Sequence, residues 1–191
     1  MFSFIFHFLY YNIYVKTYIP YCYSKTLFEI DPSFFKKMNC EYLICDLDNT
    51  LDSHKAKVPT KRTIDFIENL KSFGIKVVVV SNNRKKRVDL YCKTLGIDYI
   101  YRAFKPFTKV TRNFLREHKI ETKKCMMVGD QLMTDIKCAN KIGIKSILTD
   151  NLVIEDQLVT KFNKIFDKPR RDYLRKHNLL INWREIYGRI K

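Results

Sequence analysis

No Cys-x-x-Cys pair and no cluster of cysteine with histidine occurs in this sequence. Its six cysteines (Cys22, Cys40, Cys45, Cys92, Cys125 and Cys138) are scattered, several of them inside apolar runs. That argues against a disulfide framework or a cysteine-held metal, and predicts reduced, buried thiols of a reducing compartment. The four histidines (His7, His54, His118, His177) show no metal-ligand spacing and read as surface residues. Glycine and proline are scarce, five of each against 46% hydrophobic residues, which excludes a disordered or low-complexity chain. No internal repeat is visible. At 191 residues the chain can bury a core without staples, and one domain with terminal extensions is expected.

Acidic residues are also in short supply. There are 20 against 36 lysines and arginines, a formal net charge of +16. Two readings of that excess stay open: the compositional drift of an AT-rich genome, which favours lysine, or attraction to a polyanion such as anionic lipid headgroups or RNA. Long apolar runs are missing as well. The strongest, Met1–Val15, is interrupted by His7 and Asn12 and ended by Lys16, short of the roughly 20 residues that a spanning helix needs. It lacks the basic start and small-residue cleavage site of a signal peptide. It either packs on the domain or lies in a membrane interface, where aromatic rings are favoured. The localisation expected is cytoplasmic, with a peripheral place at the inner face of the membrane left open.

What is present is an alternation of short apolar runs with helical periodicity. The runs are Tyr42–Leu47, Lys76–Val80, Tyr99–Arg102, Cys125–Val128 and Lys145–Leu148. Continuous apolar runs of this length suit strands covered on both faces of a parallel sheet. Between them, helices are predicted over Thr60–Phe73, Arg84–Leu95, Thr108–His118 and Met133–Ile142, three of them stopped by Gly74, Gly96 and Gly143. Five strands with four helices between them predict a doubly wound, three-layer α/β/α fold. Residues 1–39 read as an aromatic lead-in, 40–150 as the domain, and 151–191 as a basic helical extension. In that extension Leu158, Phe162 and Ile165 suggest one helix and Pro169 opens another, with Arg170, Arg171, Arg175 and Lys176 on a solvated face or an anionic surface.

Ligands of open parallel sheets bind beyond the carboxyl ends of the strands, and four of the five runs end in chemically useful residues. The first ends with Asp46, Asp48, Asn49 and Thr50. Two carboxylates leaving a buried strand are costly unless a cation or hydrogen-bond donors compensate them. The second ends with Ser81, Asn82 and Asn83, a hydroxyl and amides able to donate to phosphoryl oxygens. The third is followed by Lys105, and the fourth by Asp130 and Asp135 after a glycine turn. A hard cation such as Mg²⁺ takes oxygen ligands; Asp46, Asp130 and Asp135 supply carboxylates, and Asp48 a backbone carbonyl.

In this order the residues resemble the four motifs of the haloacid dehalogenase superfamily: D-x-D-x-T at Asp46, Asp48 and Thr50, the hydroxyl at Ser81, the lysine at Lys105, and the acidic pair Asp130 and Asp135. The resemblance spans about residues 40 to 150. It implies a Mg²⁺-dependent phosphohydrolase in which Asp46 is the nucleophile and Asp48 the general acid and base. Ser81 and Lys105 would stabilise charge, and Thr50 would orient the loop, with Asn49, Asn82 and Asn83 toward the substrate. Residues 52–75 and the stretch from Ser81 to Lys105 leave no room for a cap domain, so the site is expected to be open and to suit a phosphate on something large. The wording DLDNTL, VVSNN with Arg87-Val88, RAxKP and VGDQLxTD resembles the YqeG-type subgroup of class IIIA phosphatases, whose eukaryotic relatives include the mitochondrial phosphatidylglycerophosphate phosphatase. That similarity implies an anionic phospholipid, phosphatidylglycerophosphate, as substrate.

Two other readings remain. One is a phosphatase for a protein or soluble phosphoester. The other is an RNA- or ribosome-associated binding protein attached through its charge, although no recognised RNA motif is present. Arg84, Lys85, Lys86 and Arg87 either approach an anionic headgroup or decorate the next helix. Oligomeric state is not legible.

Overall fold

The computed structural model describes residues 16–152 and 158–190, with side chains for 16–152 and 167–190. The Met1–Val15 segment and the Leu158, Phe162 and Ile165 side chains lie outside the described residues. Six parallel strands run in the order β1-β6-β5-β2-β3-β4: β1 Cys22–Tyr23, β2 Tyr42–Cys45, β3 Lys76–Val80, β4 Asp98–Ile100, β5 Cys125–Gly129 and β6 Lys145–Leu148. The sixth strand is a departure from the five expected. β1 is two residues long and pairs Cys22 with Ile147 and Tyr23 with Leu148 at the sheet edge.

The helices are α1 Pro32–Lys37, α2 Lys61–Ser72, α3 Lys85–Leu95, α4 Lys109–Glu117, α5 Lys137–Ile142, α6 Leu158–Lys176 and α7 Trp183–Arg189. Strand side chains alternate between two apolar layers. Leu43, Cys45, Val77, Val79, Met126 and Val128 face α1, α2 and α3, packing with Phe34, Ile67, Leu70 and Tyr91. Ile44, Val78, Val80 and Met127 face α4 and α5, with Leu115, Cys138 and Ile142. Both faces are therefore dry, and each fully buried valine of the VVVV run contributes about 1.5–3 kcal/mol. All six cysteines are free and buried.

Residues from Tyr18 onward already belong to this core. Leu27, Ile30, Phe34 and Phe35 have essentially no exposed surface. The far end of the chain returns to the same edge: Tyr23 N–H donates to Ile181 O at 2.8 Å, and Trp183 meets Phe34 ring to ring at 5.5 Å.

Three local expectations are corrected. Pro169 does not open a helix but lies inside α6. On either side of it Asp167 and Arg171 bond to backbone groups beyond the ends of β5 and β6. The helix expected from Met133 begins instead as one wide π-type turn, Leu132–Ile136, before α5. Such turns recur at functional sites because they re-aim a side chain. The third strand ends at Ile100, because Arg102 and Phe104 take left-handed φ values of 45° and 54° and turn the chain across the strand tips.

Candidate active site

Asp46 continues β2 by one residue, its N–H donating to Val128 O at 2.9 Å. Leu47 and Leu51 are then drawn fully into the core, which throws the intervening acids the other way. Asn49 makes the turn at φ 66°, a left-handed value that asparagine tolerates, and donates its N–H to Asp52 O at 2.7 Å. The loop is anchored by a buried acid that the sequence did not mark. The Asp52 carboxylate accepts from Thr60 N–H (3.0 Å), the Thr60 and Thr63 hydroxyls (both 2.8 Å) and the Tyr91 hydroxyl (2.6 Å).

Lys105 reaches the same point from β4. Its backbone N–H donates to Asn82 Oδ1 at 2.7 Å, and Asn82 Nδ2 returns a bond to its carbonyl at 3.0 Å. Asn82, expected to touch substrate, holds the lysine loop with its amide and also lines the cleft above these groups. Lys105 Nζ donates to Asp46 Oδ1 at 2.5 Å and Val80 O at 2.9 Å, and pairs with Asp135 Oδ1 at 2.6 Å. Burial works against its charge, but Asp135 and Asp46 outweigh burial and hold the lysine pKa above its ordinary value.

Asp130 and Asp135 complete the floor. Gly129 is required between them and the strand, since a β-carbon there would overlap the Asp135 side chain. Asp135 Oδ2 accepts from Gln131 N–H at 3.0 Å. Carboxylate oxygens of Asp46, Asp130 and Asp135 lie within 4.8 Å of one another. Burial, then Asp135 and Asp46, push the Asp130 carboxyl well above the carboxylate range. Burial chiefly, opposed by Lys105 and helped by Asp135, raises Asp46 to about 7.

Both Asp130 carboxylate oxygens are buried without a hydrogen-bond partner, an arrangement that is costly unless a cation takes them. Three carboxylates against one ammonium leave two uncompensated negative charges, the charge of one hard divalent ion. The residues present therefore fit Mg²⁺. The Asp48 carboxylate lies outside this cluster. Its Oδ1 pairs with Arg87 Nη2 at 2.9 Å, and its Oδ2 accepts from Asn83 Nδ2.

A cleft of about 630 Å³ opens over these groups, walled by Asp46, Asp48, Ser81, Asn83, Arg87 and Lys105 among others. Asn49 and His54 also lie in this wall. Thr50 does not: the turn folds it inward, fully buried, so it shapes the loop and cannot touch a ligand. A larger cleft of about 750 Å³, beside the start of β6, has no carboxylate in its lining and no link to this chemistry.

The C-terminal extension braces the site, which no sequence signal announced. Asp167 is buried and accepts from Leu132 N–H at 2.7 Å and Met133 N–H at 3.1 Å, tying the π-type turn that carries Asp135. Arg171 donates to the carbonyl of Asp130 and to Thr149 O at 3.0 Å, and pairs with Asp150 at 3.3 Å. So Arg171 is not part of a solvated face. Asp167→Ala strands two buried N–H groups and is expected to cost about 1–3 kcal/mol and to weaken Mg²⁺ binding about 10- to 100-fold. Thermal unfolding with a magnesium titration checks both.

With the geometry in place, comparison with known proteins identifies the class. The profile of the haloacid dehalogenase-like hydrolases matches residues 2–149, and the chain belongs to that family. A curated relative is "Probable phosphatase YqeG" of Bacillus subtilis (strain 168), 35% identical over 170 residues, or 89% of this chain and 98% of that protein. Among solved structures, an uncharacterised protein from Listeria monocytogenes serotype 4b superposes with a TM-score of 0.50 at 22% identity, over 61% of this chain and 83% of its own. A Vibrio cholerae protein provisionally assigned as a 3-deoxy-D-manno-octulosonate 8-phosphate phosphatase gives 0.50 at 19% identity, over 64% and 74%. At these identities both are likenesses of fold. They match the parallel α/β architecture described above.

Proposed function

We propose that this hydrolase is a Mg²⁺-dependent phosphatase that works through an aspartyl-phosphate on Asp46, with phosphatidylglycerophosphate as its substrate. The observation that carries the catalytic reading is the convergence of Asp46, Lys105, Asp130 and Asp135 at the floor of an open cleft. Asp46, Asp130 and Asp135 would hold the ion, which when bound supplies electrostatic stabilisation of the phosphoryl oxygens.

The remaining steps belong to the chain's own residues. An Asp46 oxygen attacks phosphorus, and the bond from phosphorus to the alcohol oxygen breaks. Asp48 gives that oxygen a proton, so the alcohol leaves neutral. Water then attacks the phosphorus of the acyl phosphate while Asp48 takes back a proton, releasing inorganic phosphate and restoring the Asp46 carboxylate. Lys105 neutralises charge near the transferring group, and Ser81 sits in the cleft wall as a donor.

Three features support the lipid. Among the described residues no domain covers the cleft: α2 fills the stretch after the nucleophile loop, and α3 with β4 fills the stretch before Lys105. The loop bearing Lys105 displays Phe104 and Phe107, 59% and 72% exposed. The net charge of +16 favours an anionic surface. Among the described residues no helix is long and apolar enough to cross a membrane.

Phosphate release from vesicles containing phosphatidylglycerophosphate, against a panel of soluble phosphomonoesters, with and without Mg²⁺, tests the reading. Release from the vesicles that needs Mg²⁺ and Asp46 is expected. Turnover confined to the soluble panel would remove the lipid and leave the phosphatase.

A further inference from the structure

We propose that Arg87 is a second anion site, selecting phosphomonoesters whose leaving group carries a further negatively charged group. This rests on the phosphatase reading above and deepens it. The first observation is the state of Asp48. Both of its oxygens are occupied, one by the Arg87 guanidinium at 2.9 Å and one by the Asn83 amide. Arg87 thus already holds one anion, the Asp48 carboxylate, through a charge-assisted bond in the resting pose.

The second observation is the state of Arg87 itself. Its Nη1 is buried and has no hydrogen-bond partner, so the resting pose leaves a strong donor unsatisfied. The guanidinium stands 5.6 Å from the Tyr91 ring centre and in the wall of the cleft. An anion entering beside the scissile phosphate offers the donor edge of the guanidinium a pair of acceptor oxygens, which a phosphate does well. The surroundings agree. Arg84 precedes α3 without capping it by a side chain, no acid lies in the first turn, and Arg84 lines the same cleft. An uncapped helix start beside a free guanidinium donor favours negative charge. The cleft volume of about 630 Å³ is that of a site for a whole small-molecule headgroup.

The chemistry follows as an exchange of partners. The second anionic group takes the guanidinium from Asp48, no covalent bond is made or broken, and Asp48 keeps its Asn83 partner. A substrate with a single phosphate does not supply this exchange.

The probes are glycerol 1,3-bisphosphate and glycerol 1-phosphate, which differ only in the second phosphate. Calorimetry on the full chain carrying Asp46→Asn, in Mg²⁺ at constant ionic strength, reads binding without turnover. The bisphosphate is expected to bind about tenfold tighter or better. Adding Arg87→Met should bring the two ligands within about twofold of each other, whereas Arg87→Lys, which keeps the charge, should retain part of the gap. Equal binding of the two ligands to the Asp46→Asn chain would overturn the proposal. So would an equal loss for both on Arg87→Met, which would make Arg87 only a support for Asp48. In the Arg87-intact enzyme, kcat/KM should favour the bisphosphate, and the preference should vanish in Arg87→Met. Failure of the phosphatase reading shows separately, as no phosphate release from either ester while the binding gap persists.

Discussion

Asp46→Asn will release no phosphate above background, a loss on the order of 10⁴- to 10⁶-fold, and will at the same time leave the metal-free protein at least as stable as the parent. The first half follows from the nucleophile. An amide oxygen carries no full charge to attack phosphorus, and no other carboxylate occupies its place at the tip of β2. The second half follows from where Asp46 sits. It is only 8% exposed and shares its surroundings with Asp130 and Asp135, two more acids with one ammonium among them. Removing one negative charge relieves repulsion, while Lys105 keeps Asp135 and the Val80 carbonyl as partners. Phosphate-release assays paired with thermal unfolding in chelator test the statement. A variant that melts well below the parent under those conditions would show that Asp46 is structural ballast for Lys105 rather than a strained functional group.

Magnesium should stabilise the protein most above neutral pH, and the metal-free protein should lose stability as pH rises from about 4 to about 7. The sign comes from Asp46, raised by burial to about 7 against an ordinary value of 3.8, with Asp130 moved the same way. A carboxyl whose folded pKa lies above its unfolded one binds protons more tightly when folded. Its contribution therefore favours the fold below the unfolded value, drains away across that window and is constant above it. A cation that binds the ionised carboxylates reverses the loss. At a hundred times its dissociation constant it adds about 2.7 kcal/mol, which for a chain of this length is a rise of roughly 5–10 °C in Tm. Melting curves at pH 5 and 8, in chelator and in Mg²⁺, on the parent and on Asp46→Asn, isolate the effect. An unchanged Tm with saturating Mg²⁺ at pH 8 would mean that the acid cluster does not hold the ion.

Much of this site was legible because strand ends are legible. A run such as VVVV needs two dry faces, and whatever polar residue follows it must sit at the sheet's carboxyl edge; hence Ser81, and by the same logic Asp46, Asp130 and Lys105. What a sequence does not disclose is the direction of a side chain inside a turn. Thr50 has the right chemistry for a ligand, but it is folded under its loop. Edge strand β1 escaped notice because two residues show no alternation. The π-type turn at Leu132–Ile136 was missed because a helical stripe drawn at a period of 3.6 passes smoothly over it. Asp167 and Arg171 were hardest of all. Their partners are backbone groups 35 and 41 residues away, and nothing in a basic, proline-containing stretch hints at contacts of that span.

That last pair has a consequence for how the protein is made. The acids that converge at the cleft floor are all translated by Asp135, yet the bonds from Asp167 and Arg171 that brace them form only when α6 has emerged and docked. A nascent chain halted between β6 and α6 would own a complete sheet and an unfastened catalytic floor. The cleft floor therefore receives its last bracing late, once synthesis has gone past Arg171, and a protease that clips the chain ahead of α6 is expected to loosen it without touching Asp46, Asp130 or Asp135.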